Sequence, residues 1–246
     1  MVIETPVLKR FWKQVHITEA DGKFRLLTIM LDKRTLKTPD GRPLRVPSSK
    51  RGLAAVVAQE WEAQEKVTKH HALPATSLVC NALDLYEDAG TRADKCADLL
   101  RYLDTDTICF QASYPHQLVT LQTEHWDPLF AWVREEFGVT LERYEDMILM
   151  EARQSEECKR VMREALEGMD GLTLAAMERA VYYSKSFIIG LAMARGKLDA
   201  ERAAQAAHVE VQSQILRWGE VEDTHDVDYR DIRRHLASAA LAFAKV

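Results

Sequence analysis

Over the first 46 residues, apolar and polar positions alternate with a period near two, and turn-forming residues punctuate them. Residues 11–17 read as a first strand. Asp21-Gly22 is a hairpin signal, and residues 24–31 read as the returning strand. Asp32-Lys33-Arg34 makes a second turn, residues 35–38 a short strand, Pro39-Asp40-Gly41 a third turn, and residues 44–46 a closing strand. The pattern predicts a small antiparallel meander or partial barrel with basic side chains on its solvent face. At Pro47-Ser48-Ser49 the period changes to 3.6, and a serine there is placed to cap a helix.

From that point the chain reads as helices. Leu53, Val57 and Trp61 fall on one face and predict a helix over 49–66. Further helices are expected at 75–87, at 92–103 with Thr91 as cap, at 117–125, and at 127–137. The last of these opens with Asp127-Pro128 and closes at Gly138. Residues 104–116 read as irregular or short-helical, and 139–150 are ambiguous between strand and loop. Helices then follow over 155–167, 172–195, 198–219 and 227–244. Within 198–219 the series Ala204, His208, Val211, Ile215, Trp218 predicts a buried seam, and Ile232, Leu236, Ala239 and Phe243 do the same in the next helix. The fold class is therefore α+β. A small N-terminal antiparallel β domain (1–47) precedes a larger all-helical domain (48–246).

Composition sharpens this picture in two respects. Only 10 of 246 residues are glycine and Asn81 is the one asparagine, which suits long helices better than a chain of tight turns. Charge is divided unevenly: residues 1–50 hold 11 Lys and Arg against 5 acids, so the remaining residues carry −11 of a total of −5. A chain so acidic beyond residue 50 argues against a broad nucleic-acid-binding face. The longest apolar run, 187–194, is far shorter than the ~20 residues needed to span a bilayer. No secretory signal or Arg/Ser-rich transit peptide is read at the start. Cys80, Cys96, Cys109 and Cys158 show no CxxC spacing and read as reduced, partly buried thiols.

Signatures of catalysis are missing. GxGxxG, GxxxxGK[ST], GxSxG and HExxH do not occur. His70-His71 reads as a solvated loop, Asp104-Thr105-Asp106 as a capping segment, and His208 as a core histidine. Trp61, Trp126, Trp132 and Trp218 read as core anchors, with an interface role as the alternative for one or two of them. The densest polar cluster follows Trp218: six acids lie between Glu220 and Asp231 with Arg230 as the only base. Like charge so concentrated is relieved by a partner that supplies Arg or Lys. Two other readings stay open. Asp223, His225, Asp226 and Asp228 could ligate a divalent ion in a hydrolase. The basic N-terminal sheet could serve an RNA-associated adaptor.

The run Trp218-Gly219-Glu220-Val221-Glu222-Asp223-Thr224-His225-Asp226-Val227 resembles the signature of the mitochondrial ATP synthase assembly chaperone family, whose client is the alpha subunit of the soluble catalytic head. Other motifs agree in order: Arg10-Phe11-Trp12-Lys13, Leu36-Lys37-Thr38-Pro39, Val46-Pro47-Ser48, Ala58-Gln59-Glu60-Trp61, Leu118-Val119, Trp126-Asp127-Pro128-Leu129 and Lys185-Ser186. The stretch Cys80-Asn81-Ala82-Leu83-Asp84 departs from the family's usual form.

The resemblance implies a non-catalytic chaperone, without cofactor or metal, that binds unassembled alpha subunit, prevents its aggregation and is displaced by the beta subunit. It further implies a monomer in the mitochondrial matrix, its transit peptide absent from this chain, with neither nucleic acid nor membrane insertion in its work. Trp218, Glu220, Glu222, Asp223, Thr224, His225 and Asp226 are the expected partner-binding residues. Trp12, Trp61 and Trp126 are the expected structural anchors.

Overall fold

A computed structural model describes residues 9–20, 25–145 and 153–244. The Asp21-Gly22 turn, the beginning of the returning strand at Phe24 and residues 146–150 lie outside the described residues. Strand β1 (Val15–Ala20) pairs antiparallel with β2 (Leu26–Leu31), from Val15 opposite Leu31 to Ala20 opposite Leu26. The other edge of β2 pairs with β3 (Arg34–Thr35) and with β4 (Arg45–Pro47). The central strand turns Leu27, Ile29 and Leu31 into the core, where Leu44 and Val46 join them.

The first strand begins at Val15 rather than at residue 11. The Asp32 carboxylate accepts the backbone N–H groups of Lys13 (3.1 Å) and Gln14 (2.9 Å), so those donors are taken before a ladder can form. Trp12 is thereby turned inward, and its indole N–H donates to the Trp61 carbonyl at 3.2 Å.

A 3-10 turn over Ser48–Lys50 leads into α1 (Arg51–Glu62), and no serine side chain caps it. This helix ends before residue 66 because the Arg10 guanidinium binds the carbonyls of Glu62 (2.7 Å) and Gln64 (2.5 Å). Buried Trp61 donates its indole N–H to the Thr76 hydroxyl at 3.1 Å. Beside it, the Glu60 carboxylate accepts the amides of Ala75 (2.6 Å) and Thr76 (2.8 Å) at the start of α2 (Pro74–Asp84). One helix thus caps the next through a side chain far away in sequence.

Helix α3 (Ala89–Arg101) is capped by Asp88, whose carboxylate accepts the Thr91 amide at 2.7 Å; Thr91 itself lies inside the first turn. A 3-10 turn (Thr107–Cys109) and β5 (Phe110–Gln111) follow. Next come α4 (His116–His125) and α5 (Asp127–Phe137), the latter closed by Gly138 at φ 69°. Part of the ambiguous stretch resolves as β6 (Tyr144–Glu145), parallel to β5. Trp126 is fully buried, its indole N–H held by the Ala206 carbonyl at 2.8 Å.

The remaining elements are α6 (Glu156–Glu167), α7 (Gly171–Ser184), α8 (Phe187–Ala194), α9 (Ala200–Ala207), α10 (Val209–Trp218) and α11 (Thr224–Phe243). Two helices expected as continuous are broken. The first breaks at Lys185, which adopts φ 55°, after which the Ser186 hydroxyl caps α8 by accepting the Ile189 amide at 3.0 Å. The second breaks at His208, between α9 and α10.

Helix α7 is the hub, packing against α2, α8 and α11. The apolar run of α8 is core: Phe187 through Met193 are all buried. At Gly190 the backbone comes so close to α7 that an added Cβ would lie 2.9 Å from Val181 Cγ2, so only glycine fits. Among the described residues no helix is long and apolar enough to cross a membrane. All four cysteines are free thiols, and burial pushes Cys80 and Cys158 up to about 11, where they are protonated and unreactive at neutral pH.

Candidate partner-binding surface

The corner between α10 and α11 is built by two backbone turns and one imidazole. Gly219 ends α10 at φ 87°, and Asp223 adopts φ 66° immediately before α11. Between them His225 closes the loop on itself. Its Nδ1 accepts the Val221 amide at 3.0 Å, and its own amide donates to the Val221 carbonyl at 3.1 Å. The Thr224 amide donates to the Glu222 carbonyl at 2.8 Å. Helix α11 therefore starts three residues earlier than its apolar period predicts, with Asp226 in its first turn, where a carboxylate suits the helix dipole.

The corner is anchored behind by an ion pair to α9 and by a histidine–carboxylate contact at the α9–α10 junction. His208 Nε2 lies 3.0 Å from the Asp228 carboxylate, and Arg233 binds Glu201 through two nitrogens at 2.8 and 2.9 Å. Burial pulls the His208 imidazole below its usual pKa, while Asp228 acts in the opposite direction. His208 is thus half-buried and paired, not a wholly interior residue of a seam.

The break at His208 also corrects the reading of Trp218. In α10 the buried positions are Val209 and Ser213, whereas Trp218 is 71% exposed. The phase of the apolar stripe shifts at the break, so the last turn of α10 faces outward. Leu216, Val221, Val227 and Tyr229 are exposed on the same corner. Tyr114, on the loop preceding α4, joins them through Arg217, whose guanidinium lies 5.8 Å from the Tyr114 ring and 5.1 Å from the Trp218 ring.

Around these side chains Glu220, Glu222, Asp223 and Asp226 have no basic partner within salt-bridge distance among the described residues. An exposed apolar set beside uncompensated carboxylates has the chemistry of a protein-recognition surface, apolar at its centre and acidic at its margin.

The corner is not assembled as a metal centre. His225 uses Nδ1 on a backbone amide, Asp228 is turned back to His208, and among the described residues no three His, Cys, Asp or Glu side chains converge as a ligand set. The Asp104-Thr105-Asp106 segment is likewise committed to structure. Asp104 accepts the Gln154 amide at 2.8 Å and pairs with Lys159 at 3.0 Å, whereas fully buried Asp106 binds the amides of Ile108 and Ile188.

Trp218, Glu220, Glu222, Asp223, Thr224, His225 and Asp226 lie together at this corner, as their adjacency in sequence requires. Tyr114 and Leu216 were missed. Apolar residues interleaved with acids, as at Val221 and Val227, were a signal available in the sequence. Nothing local marks Tyr114, which reaches the corner only through the packing of α4 against α10.

Residues 9–134 match the model of the ATP12 chaperone protein family. The mitochondrial protein atp12 of Schizosaccharomyces pombe is 34% identical over 242 residues, covering 96% of this chain and 82% of its own length. The chain belongs to the ATP12 chaperone family. The family resemblance carried by the motif series from Arg10 to Val227 is thereby borne out.

A second relative, the mitochondrial ATP12 protein of Saccharomyces cerevisiae, is 31% identical and is covered over 84% of its length by 96% of this chain. The crystal structure of Atp12 from Paracoccus denitrificans superposes with a TM-score of 0.80 at 29% identity, covering 96% of this chain and 97% of that one. The ATP12-family architecture is therefore shared from the sheet through the last helices, in the α+β arrangement expected from the period analysis.

Proposed function

We propose that this chaperone binds the unassembled alpha subunit of the ATP synthase catalytic head, prevents its aggregation, and yields it to the beta subunit as the alpha/beta hexamer assembles. Membership of the ATP12 family supports this reading. The observation that carries it to particular residues is the α10–α11 corner, where Trp218 stands 71% exposed beside four carboxylates with no basic partner among the described residues. A free subunit presents apolar surface that otherwise self-associates. Covering it takes matching apolar area, and complementary charge speeds the encounter. Interaction energy in such surfaces concentrates in a few aromatic anchors, so Trp218 is the main contact and Glu220, Glu222, Asp223 and Asp226 form its acidic margin. His225 and Thr224 hold the loop in shape.

In this reading residues 1–47 form the β domain and residues 48–246 the helical domain that carries the corner. The protein acts as a monomer in the mitochondrial matrix, where its named relatives are mitochondrial, and performs no chemical step. Co-purification with tagged alpha subunit tests the partner. Capture is expected in the absence of beta subunit and release upon its addition. Capture that is absent, or indifferent to beta subunit, contradicts the proposal.

A further inference from the structure

A groove of about 290 Å³ lies between the N-terminal end of α2, the last turns of α7 and the middle of α11. Its walls carry two guanidinium groups, Arg179 and Arg234, and three imidazoles, His70, His71 and His235, against one carboxylate, Asp231. That carboxylate is already committed: it accepts from Arg234 at 2.6 Å and lies 3.5 Å from His235 Nε2.

Arg179 is the unusual member. Its guanidinium donates only to neutral oxygens, the Pro74 carbonyl, Ser238 Oγ at 3.1 Å and Ser77 Oγ at 3.2 Å. No carboxylate among the described residues lies within 4.0 Å of it. Burial pulls its pKa below the usual guanidinium range, while Tyr183, Glu60 and Glu178 act in the opposite direction from beyond salt-bridge distance.

A second observation is independent of the first. His235 Nδ1 is buried and has no hydrogen-bond partner among the described residues, while its ring is held by stacking on Tyr183 at 3.7 Å. Burial pulls the His235 imidazole down to about 4, so it is neutral at pH 7, and with Nε2 beside Asp231 the open Nδ1 is an acceptor. A half-buried cation and an open acceptor lining one cavity are answered together by an oxyanion that still carries a proton, its negative oxygens toward Arg179 and its O–H toward Nδ1.

We propose that this groove is a binding site for a phosphate-class oxyanion, inorganic phosphate or a small phosphate monoester. Polar groups reach it from three elements, Arg179 from α7, Arg234 and the acceptor Nδ1 of His235 from α11, and His70 and His71 from the turn before α2. So many directions suit a tetrahedral anion better than a planar carboxylate with two oxygens. The cavity sits at the small end of the range for small-molecule sites, which fits a phosphate headgroup and excludes a bulky ligand.

The test is calorimetric titration of the full chain with inorganic phosphate at constant ionic strength, with chloride and acetate as parallel probes. Saturable binding of one phosphate per chain is expected, with acetate and chloride clearly weaker. Removing one charge-assisted contact in Arg234→Gln should weaken phosphate about tenfold. Arg179→Gln should abolish binding. Because Arg179 also ties α7 to α2 and α11, its variant can lose the fold, and Arg234→Gln and His71→Ala at the rim keep the test decisive. Absence of saturable phosphate binding, rim variants that bind phosphate like the parent, or acetate bound as tightly as phosphate would each overturn the proposal. The outcome is independent of alpha-subunit capture, which is measured separately.

Discussion

Replacing Trp218 with alanine is expected to weaken capture of the alpha subunit by ~2 kcal/mol or more, about thirtyfold in affinity, without change in the far-ultraviolet circular dichroism. The fold is spared because the indole is 71% exposed and makes its ring contact with Arg217, not with the core. Reversal of Glu220 and Glu222 to lysine should act differently. Both carboxylates are exposed and unpaired among the described residues, so the loss is of steering and margin attraction, about tenfold in affinity and largest at low salt. Surface-plasmon measurements on immobilised alpha subunit at two ionic strengths separate the two effects. Parent-like binding by both variants would remove the corner from the interface.

The second large effect concerns Asp106, whose substitution by alanine is expected to cost ~3–5 kcal/mol of stability. This carboxylate is completely buried. One oxygen accepts the Ile108 amide at 3.2 Å and the other the Ile188 amide at 2.9 Å, so it serves the first turns of a 3-10 helix and of α8 together. Removing it strands both donors where water does not reach, and each stranded donor costs ~1–3 kcal/mol. For a chain of this size the melting temperature should fall by roughly 10 °C. A shift of only a degree or two would mean that other acceptors replace it. Asp104, partly exposed and paired with Lys159, should tolerate alanine far better, and the contrast within one Asp-Thr-Asp segment is a control.

The Asp106 contact also explains why parts of the fold were not legible in the sequence. The strand-to-helix transition at Pro47, the turn at Asp32 and the helix end at Gly138 each follow from local chemistry acting over a few residues. The break between α7 and α8 does not. Residues 187–194 are apolar on every side, so they carry no periodic signal, and the left-handed residue is Lys185, not a glycine. What stabilises the break is Ser186 as cap and Asp106 reaching in from about 80 residues away.

The break at His208 was hidden for another reason. The spacing from Ala204 to Trp218 is a valid seam for one continuous helix, and only the change of phase at His208 sends Trp218 outward. The acidic run after Trp218 was legible as charge. That it encloses exposed Val221 and Val227, and that Tyr114 stands near through Arg217, depends on how α4 packs against α10. Similarly, α3 is capped by Asp88 and not by Thr91, because an Asp carboxylate two residues before Gly90 reaches the Thr91 amide first.

We propose that this chain protects one client, the unassembled alpha subunit, through the α10–α11 corner. Light scattering of alpha subunit diluted from denaturant, with an equimolar amount of this chain, tests it most directly. The account predicts that scattering is suppressed by the parent chain, that Trp218→Ala largely restores it, and that beta subunit aggregating alone is not protected. Scattering of alpha subunit that proceeds unchanged in the presence of the folded parent chain would contradict it.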